Sequence, residues 1–265
     1  MNLRASAILL RPRTLAESLD LACRLCVTLA AGVYARLAAW MLLPVFAGCL
    51  ALRYAAGWPW AAVWAIAVAA GGVVQGVFTV AVGQLLFSEE TGAARVLRLF
   101  GRRAGSYLVT LLITRVLLVL SCVLFFLGPL FVWPRVLFVH EANLLEGAAP
   151  VPAMRRSGRV VAGRAVAAFG ALLALLLIQA AFVAAGELLG QGLVADLLQL
   201  GAPFGSLRAD GGSPYALAGL LLSVPYVATA RFLAYVDLRT RADGWDIQLR
   251  FMAIAAGEGA RREAA

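Results

Sequence analysis

The chain has 265 residues, 63% hydrophobic and 14% charged, with a mean hydropathy of +0.88. An ordinary soluble domain carries about a quarter charged residues, so this composition excludes a water-soluble fold. All 23 basic residues are arginine, and they carry the net charge of +9 in short clusters between apolar runs. That distribution marks membrane-flanking loops and excludes one basic surface for nucleic acid.

Met1 to Arg13 holds an apolar stretch, Ala5 to Leu10, too short for a signal peptide, and the N-terminus is expected to be retained. From 14–26, Leu15, Leu19, Ala22, Cys23 and Cys26 alternate with Glu17, Asp20 and Arg24 at helical spacing, predicting a helix lying in the membrane interface. The first predicted span covers 33–52, with Arg36 near its start and able to snorkel to the headgroups. The second covers 58–87 and carries Gly72 and Gly76 in a G-x-x-x-G pattern, with Gly83 beyond, where another helix can approach closely.

At 93–104, Val96, Leu97, Phe100 and Ala104 oppose Arg95, Arg98 and Arg102, which predicts a second interfacial helix. Spans at 106–127 and 129–145 follow, joined by a turn at Gly128. A third interfacial helix is predicted at 152–164, where Met154, Val161 and Ala165 oppose Arg155 and Arg159. The last spans are 165–189 and 215–236, separated by the turn-rich Ala209 to Pro214.

The expected fold is all-α: one integral membrane domain, 1–265, of six transmembrane helices in three hairpins with interfacial amphipathic helices. Arginines concentrate before the first span, in the second and fourth connections and in the tail, which places both termini in the cytoplasm.

Charge within a span is costly and marks candidate functional residues. Arg115 lies nine residues into the third span, ~13 Å deep at the helical rise. Arg115 and Glu141 are equally far from Gly128, so they are expected at similar depth on neighbouring helices as a buried ion pair fixing the hairpin's register. His140, the only histidine, points about 100° away from Glu141 on a helix, which favours a packing role. Arg135 has no obvious partner except Glu187.

Cys23 and Cys26 form a C-x-x-C, but the remaining Cys49, Cys122 and His140 all lie in spans, so neither a metal nor another cofactor is expected. With one histidine no triad can be assembled, and no Walker loop or H-E-x-x-H is present, so no enzymatic reaction is expected.

The string LEGAAPVPAMRRSGRVVAGR, Leu145 to Arg164, resembles bacterial membrane proteins similar to the membrane domain of glycerophosphoryl diester phosphodiesterases. Glu146, Gly147, Arg155, Arg156, Ser157, Gly163 and Arg164 carry the resemblance; Met154 stands where leucine is usual. The segment from Arg231 to Asp246 is similar to that family's ending through Tyr235, Asp237, Arg239, Arg241, Gly244 and Asp246, with Asp243 in place of glutamate. LRPRTLAESLD, Leu10 to Asp20, is similar to its start. The resemblance implies a six-helix membrane protein with no assigned reaction. Its catalytic relatives act through a separate soluble barrel, which has no counterpart in these residues.

These features together predict a non-enzymatic, multi-pass protein of a bacterial inner membrane. It would be an accessory or scaffold of the cell envelope whose basic cytoplasmic face meets anionic lipid headgroups or another envelope membrane protein. The alternatives are a transporter or channel using Arg115 and Glu141, and a membrane-embedded enzyme acting on lipid.

Overall fold

The computed structural model describes residues 13–87, 91–201 and 203–243, which form helices and connections with no strand among them. In hydrocarbon each backbone N–H and C=O must be satisfied within its own segment, which a helix does and an isolated strand does not. The helices are α1 (Leu15–Val27), α2 (Ala31–Tyr54), α3 (Trp60–Phe87), α4 (Ala93–Leu124) and α5 (Gly128–Val136). They continue as α6 (Val139–Glu146), α7 (Pro150–Val161), α8 (Ala165–Gln191), α9 (Leu207–Asp210) and α10 (Pro214–Asp243). Five of them, α2, α3, α4, α8 and α10, are long and apolar enough to cross a membrane, so the chain is a multi-pass membrane protein.

α3 and α10 form the buried centre, while α2, α4 and α8 turn most of their apolar side chains outward. Leu112, Val116, Val119 and Val123 on α4 are exposed for this reason, as lipid-facing residues should be. Tyr54 and Trp58, also exposed, stand where the α2–α3 hairpin turns. Amphipathic aromatic rings favour that boundary position.

α1 opens with a capping box. The Thr14 hydroxyl accepts from the Glu17 N–H at 3.2 Å, and the Glu17 carboxylate accepts from the Thr14 N–H at 2.7 Å. Its buried stripe is Ser18, Ala22 and Leu25, so Cys23, expected on the apolar face, is instead exposed. In α2 a π-helical stretch, Ala38–Leu42, precedes Pro44. Proline has no N–H to give, and the wider turn absorbs it without ending the span.

Two expectations change at α4 to α6. The interfacial helix at 93–104 and the span at 106–127 are one continuous helix of 32 residues, because nothing between Ala104 and Ser106 interrupts the hydrogen-bond ladder. The span at 129–145 is two short helices, neither long enough to cross alone. Pro134 lacks the N–H that the preceding turn needs, and the chain breaks at Leu137 and Phe138.

Ser157 of α7 holds this break in place. Its hydroxyl accepts from the Phe138 N–H at 3.2 Å and donates to the Arg135 carbonyl at 2.6 Å, satisfying one orphaned donor and one orphaned acceptor. Ser157→Ala is therefore expected to destabilise the protein by about 1–3 kcal/mol, since the buried Phe138 N–H is left without its partner and the Arg135 carbonyl loses a donor. Thermal unfolding of the detergent-purified variant measures this, and a midpoint equal to wild type would show that the break does not depend on Ser157.

The tightest helix contact is between α8 and α10. A Cβ on Gly186 would lie 2.6 Å from the Tyr215 carbonyl oxygen, and one on Gly219 would run into the Phe182 carbonyl. Only glycine lets these backbones approach so closely. The G-x-x-x-G of α3 has a related use: a Cβ on Gly76 would lie 2.6 Å from the Tyr107 ring.

Candidate functional site

α6 buries its polar residues instead of exposing them. His140, Glu141 and Asn143 all lie inside the bundle, and Glu141 has no exposed surface. The carboxylate of Glu141 is met by Arg231 of α10, whose Nε and Nη2 donate to its two oxygens at 2.6 and 3.1 Å. This is a two-pronged, charge-assisted pair at the centre of the protein.

The expected partner, Arg115, is not the one Glu141 takes. The break at Leu137 and Phe138 reorients α6 relative to α5, so equal distance in sequence from Gly128 no longer sets equal position along a straight hairpin. α10 also packs against α3 at the core and brings Arg231 in from a helix remote in sequence.

Arg115 stands close by. Its Nη2 lies 3.5 Å from where a Cβ on Gly72 would be, beside the middle of α3. The side chain is exposed, and among the described residues no carboxylate or carbonyl binds its guanidinium. It opens onto a cavity of about 180 Å³. Gln75, Thr114, His140, Gln179 and Arg231 supply the polar part of the wall, while Trp133 and leucines of α8 supply much of the apolar part.

Around this cavity, Tyr107 donates to the Gly72 carbonyl at 2.6 Å and stacks edge-on against His140 with ring centres 5.3 Å apart. Nδ1 of the buried His140 has no hydrogen-bond partner among the described residues. The aromatic contact agrees with a packing role for the ring, and the unpartnered nitrogen adds a polar function the sequence did not suggest. α4 and α8, which form two sides of the cavity, both pack against α5 and make little contact with each other. Val68 and Leu176 on its rim are exposed, so the cavity opens sideways through the outer surface of the bundle.

The motif residues gather elsewhere, at the face where α10 ends. Glu146 accepts from the Tyr235 hydroxyl and pairs with Arg239 at 3.2 Å and with Arg156 at 3.3 Å. Arg103 donates to the Leu144 carbonyl, and the same guanidinium passes 3.2 Å from where a Cβ on Gly147 would be. Gly147 also has a φ of +71°, so the end of α6 requires glycine on two counts.

Asp237 accepts from the Arg13 N–H at 2.7 Å and pairs with Arg241 at 3.0 Å, while Arg241 donates to the Arg13 carbonyl at 2.6 Å. The strings around Arg13, Glu146 and Tyr235 thus meet on one surface, and Asp237 is taken up by the chain's own N-terminal segment. Arg155 is exposed, Ser157 serves the helix break, and Gly163 makes the left-handed turn before α8 with a φ of +77°. Gly244 and Asp246 lie outside the described residues.

Arg36 is exposed. Arg135 donates to the Phe131 carbonyl of its own helix at 3.2 Å. Glu187 is engaged by the α8–α10 connection, through the Leu207 N–H at 2.8 Å and the Ser213 hydroxyl, and not by Arg135. Among the described residues no group of three or more His, Cys, Asp or Glu side chains is placed to hold a metal ion.

Sequence reasoning missed Arg231, Gln75 and Gln179. Arg231 lies five residues inside the predicted end of its span, which reads as a boundary arginine, and the two glutamines carry no charge to draw notice. No family model matches the chain, and neither a curated protein nor a solved structure matches it.

Proposed function

We propose that this chain is an inner-membrane protein that binds an anionic ligand within the bilayer, as a carrier or transporter does, and that its terminal, arginine-rich face is cytoplasmic. One observation carries the reading: an arginine without a carboxylate partner, exposed to a cavity of mixed polar and apolar wall at the middle depth of α3. A charge at that depth is costly unless something neutralises it. The Glu141–Arg231 pair cancels itself, which leaves one positive charge on the cavity wall.

A protein acting only as a scaffold gains nothing from such a cavity, since packed apolar side chains would serve it better. The cluster at Glu146, Arg156 and Arg239 supports the orientation, because arginines gather on that face. Anionic headgroups and a second membrane protein remain fitting neighbours for it.

The test is protection by a soluble anion. Dimethyl phosphate, titrated against protein in phosphatidylcholine nanodiscs, is expected to raise the unfolding midpoint and to change the fluorescence of Trp133, which lines the cavity. Arg115→Gln should weaken this response about ten-fold or more, as expected on losing a charge-assisted hydrogen bond, and Arg115→Lys should restore part of it. If wild type gains no stability at any concentration, or Arg115→Gln responds like wild type, the reading fails.

A further inference from the structure

We infer that the ligand of this cavity is the phosphodiester headgroup of a membrane lipid, entering sideways between α4 and α8; this rests on the anion-binding reading above. Charge, volume and access each point the same way.

The wall leaves one positive charge uncompensated, at Arg115, because Arg231 is bound by both oxygens of Glu141. A phosphodiester carries one negative charge and matches it. A phosphomonoester carries nearly two at neutral pH and would leave charge unbalanced in a low-dielectric site. The remaining polar wall suits a headgroup: Gln75 and Gln179 offer neutral amide donors, while Thr114 gives its hydroxyl proton to the Thr110 and Leu111 carbonyls, and the buried Nδ1 of His140 has no partner among the described residues.

A volume of about 180 Å³ has room for several waters, and so for a phosphate with its glycerol, but not for two acyl chains. The chains must therefore lie outside, and the structure provides for them. Leu118 of α4 and Leu172, Leu175 and Leu176 of α8 line the cavity, and Leu112, Val116, Leu173 and Leu177 continue both helices as exposed apolar surface. A lipid already has its chains at the opening and has only to move its headgroup inward.

The experiment uses the full chain in nanodiscs of phosphatidylcholine and phosphatidylglycerol at equal amounts, followed by gentle extraction and native mass spectrometry. One phosphatidylglycerol per protein is expected to stay bound, enriched several-fold over phosphatidylcholine. Arg115→Gln should lower that retention at least ten-fold. Arg115→Lys should keep much of it, and Arg36→Gln, a charge removal away from the cavity, should keep all of it. Equal retention in wild type and Arg115→Gln, or no retained lipid, overturns the inference. If dimethyl phosphate still protects through Arg115 while no lipid is retained, a soluble anion is the ligand and only the lipid assignment falls. If neither binds, both readings fall together.

Discussion

Glu141→Ala is expected to be among the most damaging single substitutions in the protein, lowering stability by about 3–5 kcal/mol. The carboxylate is fully buried, and its two oxygens take the Nε and Nη2 of Arg231 at 2.6 and 3.1 Å. Removing it leaves a buried guanidinium with no counter-charge and adds a second unbalanced cation to the cavity that already holds Arg115. The cost is the penalty for a stranded charge and not the net worth of the pair, so the double variant Glu141→Leu with Arg231→Met should recover much of the loss.

Thermal unfolding and the monodisperse yield in detergent read both effects. A single variant within about 1 kcal/mol of wild type, or a double variant worse than either single one, would contradict this account. The double variant also separates structure from binding: once folded, it should still respond to dimethyl phosphate, because Arg115 is intact.

Gly219→Val is expected to disrupt the association of α8 with α10 and to reduce folded protein sharply. The obstruction is the Phe182 carbonyl, part of the α8 backbone, so no side-chain rotation can make room and the helices must separate. Overpacking of a well-packed contact costs about 1–3 kcal/mol even for small additions, and valine adds more than a methyl group. Gly219→Ala should show a smaller loss in the same direction.

Gly170→Ala supplies the control on α8, since a Cβ there meets nothing within 4 Å. It should be neutral or slightly stabilising, because alanine favours the helix over glycine by up to ~1 kcal/mol. Equal behaviour of Gly219→Ala and Gly170→Ala would show that the close approach is not what holds α8 to α10.

The two predictions concern features with different visibility in the amino-acid order. Glu141 stands out there as a charge in an apolar run, but its partner does not. Gly186 stands in a second G-x-x-x-G, with Gly190, that sequence reasoning missed, and Gly219 has no such companion, whereas Gly72 and Gly76 form the motif it recognised, of which Gly76 makes room for Tyr107. The asymmetry is physical. A helix–helix contact between distant segments needs a small residue on each side, and neither segment alone shows which glycine meets which.

What the sequence by itself determined is the class of the molecule and most of its helices. Apolar runs long enough to cross hydrocarbon are local properties, and so are the capping residues Thr14 and Glu17 of α1. The Asp237–Arg241 pair, four residues apart, is equally local. Even the break at Phe138 has a local cause in Pro134, though it escaped notice because the flanking residues remain apolar.

Only the tertiary structure decided which charges meet. Glu141 pairs with Arg231 across 90 positions, and Glu146 gathers Arg156, Tyr235 and Arg239 from two different helices. Hydropathy and spacing describe one helix at a time, while the order of helices around α10 sets these meetings. Arg115 is the residue left over once they are made, and that is a property of the assembled bundle.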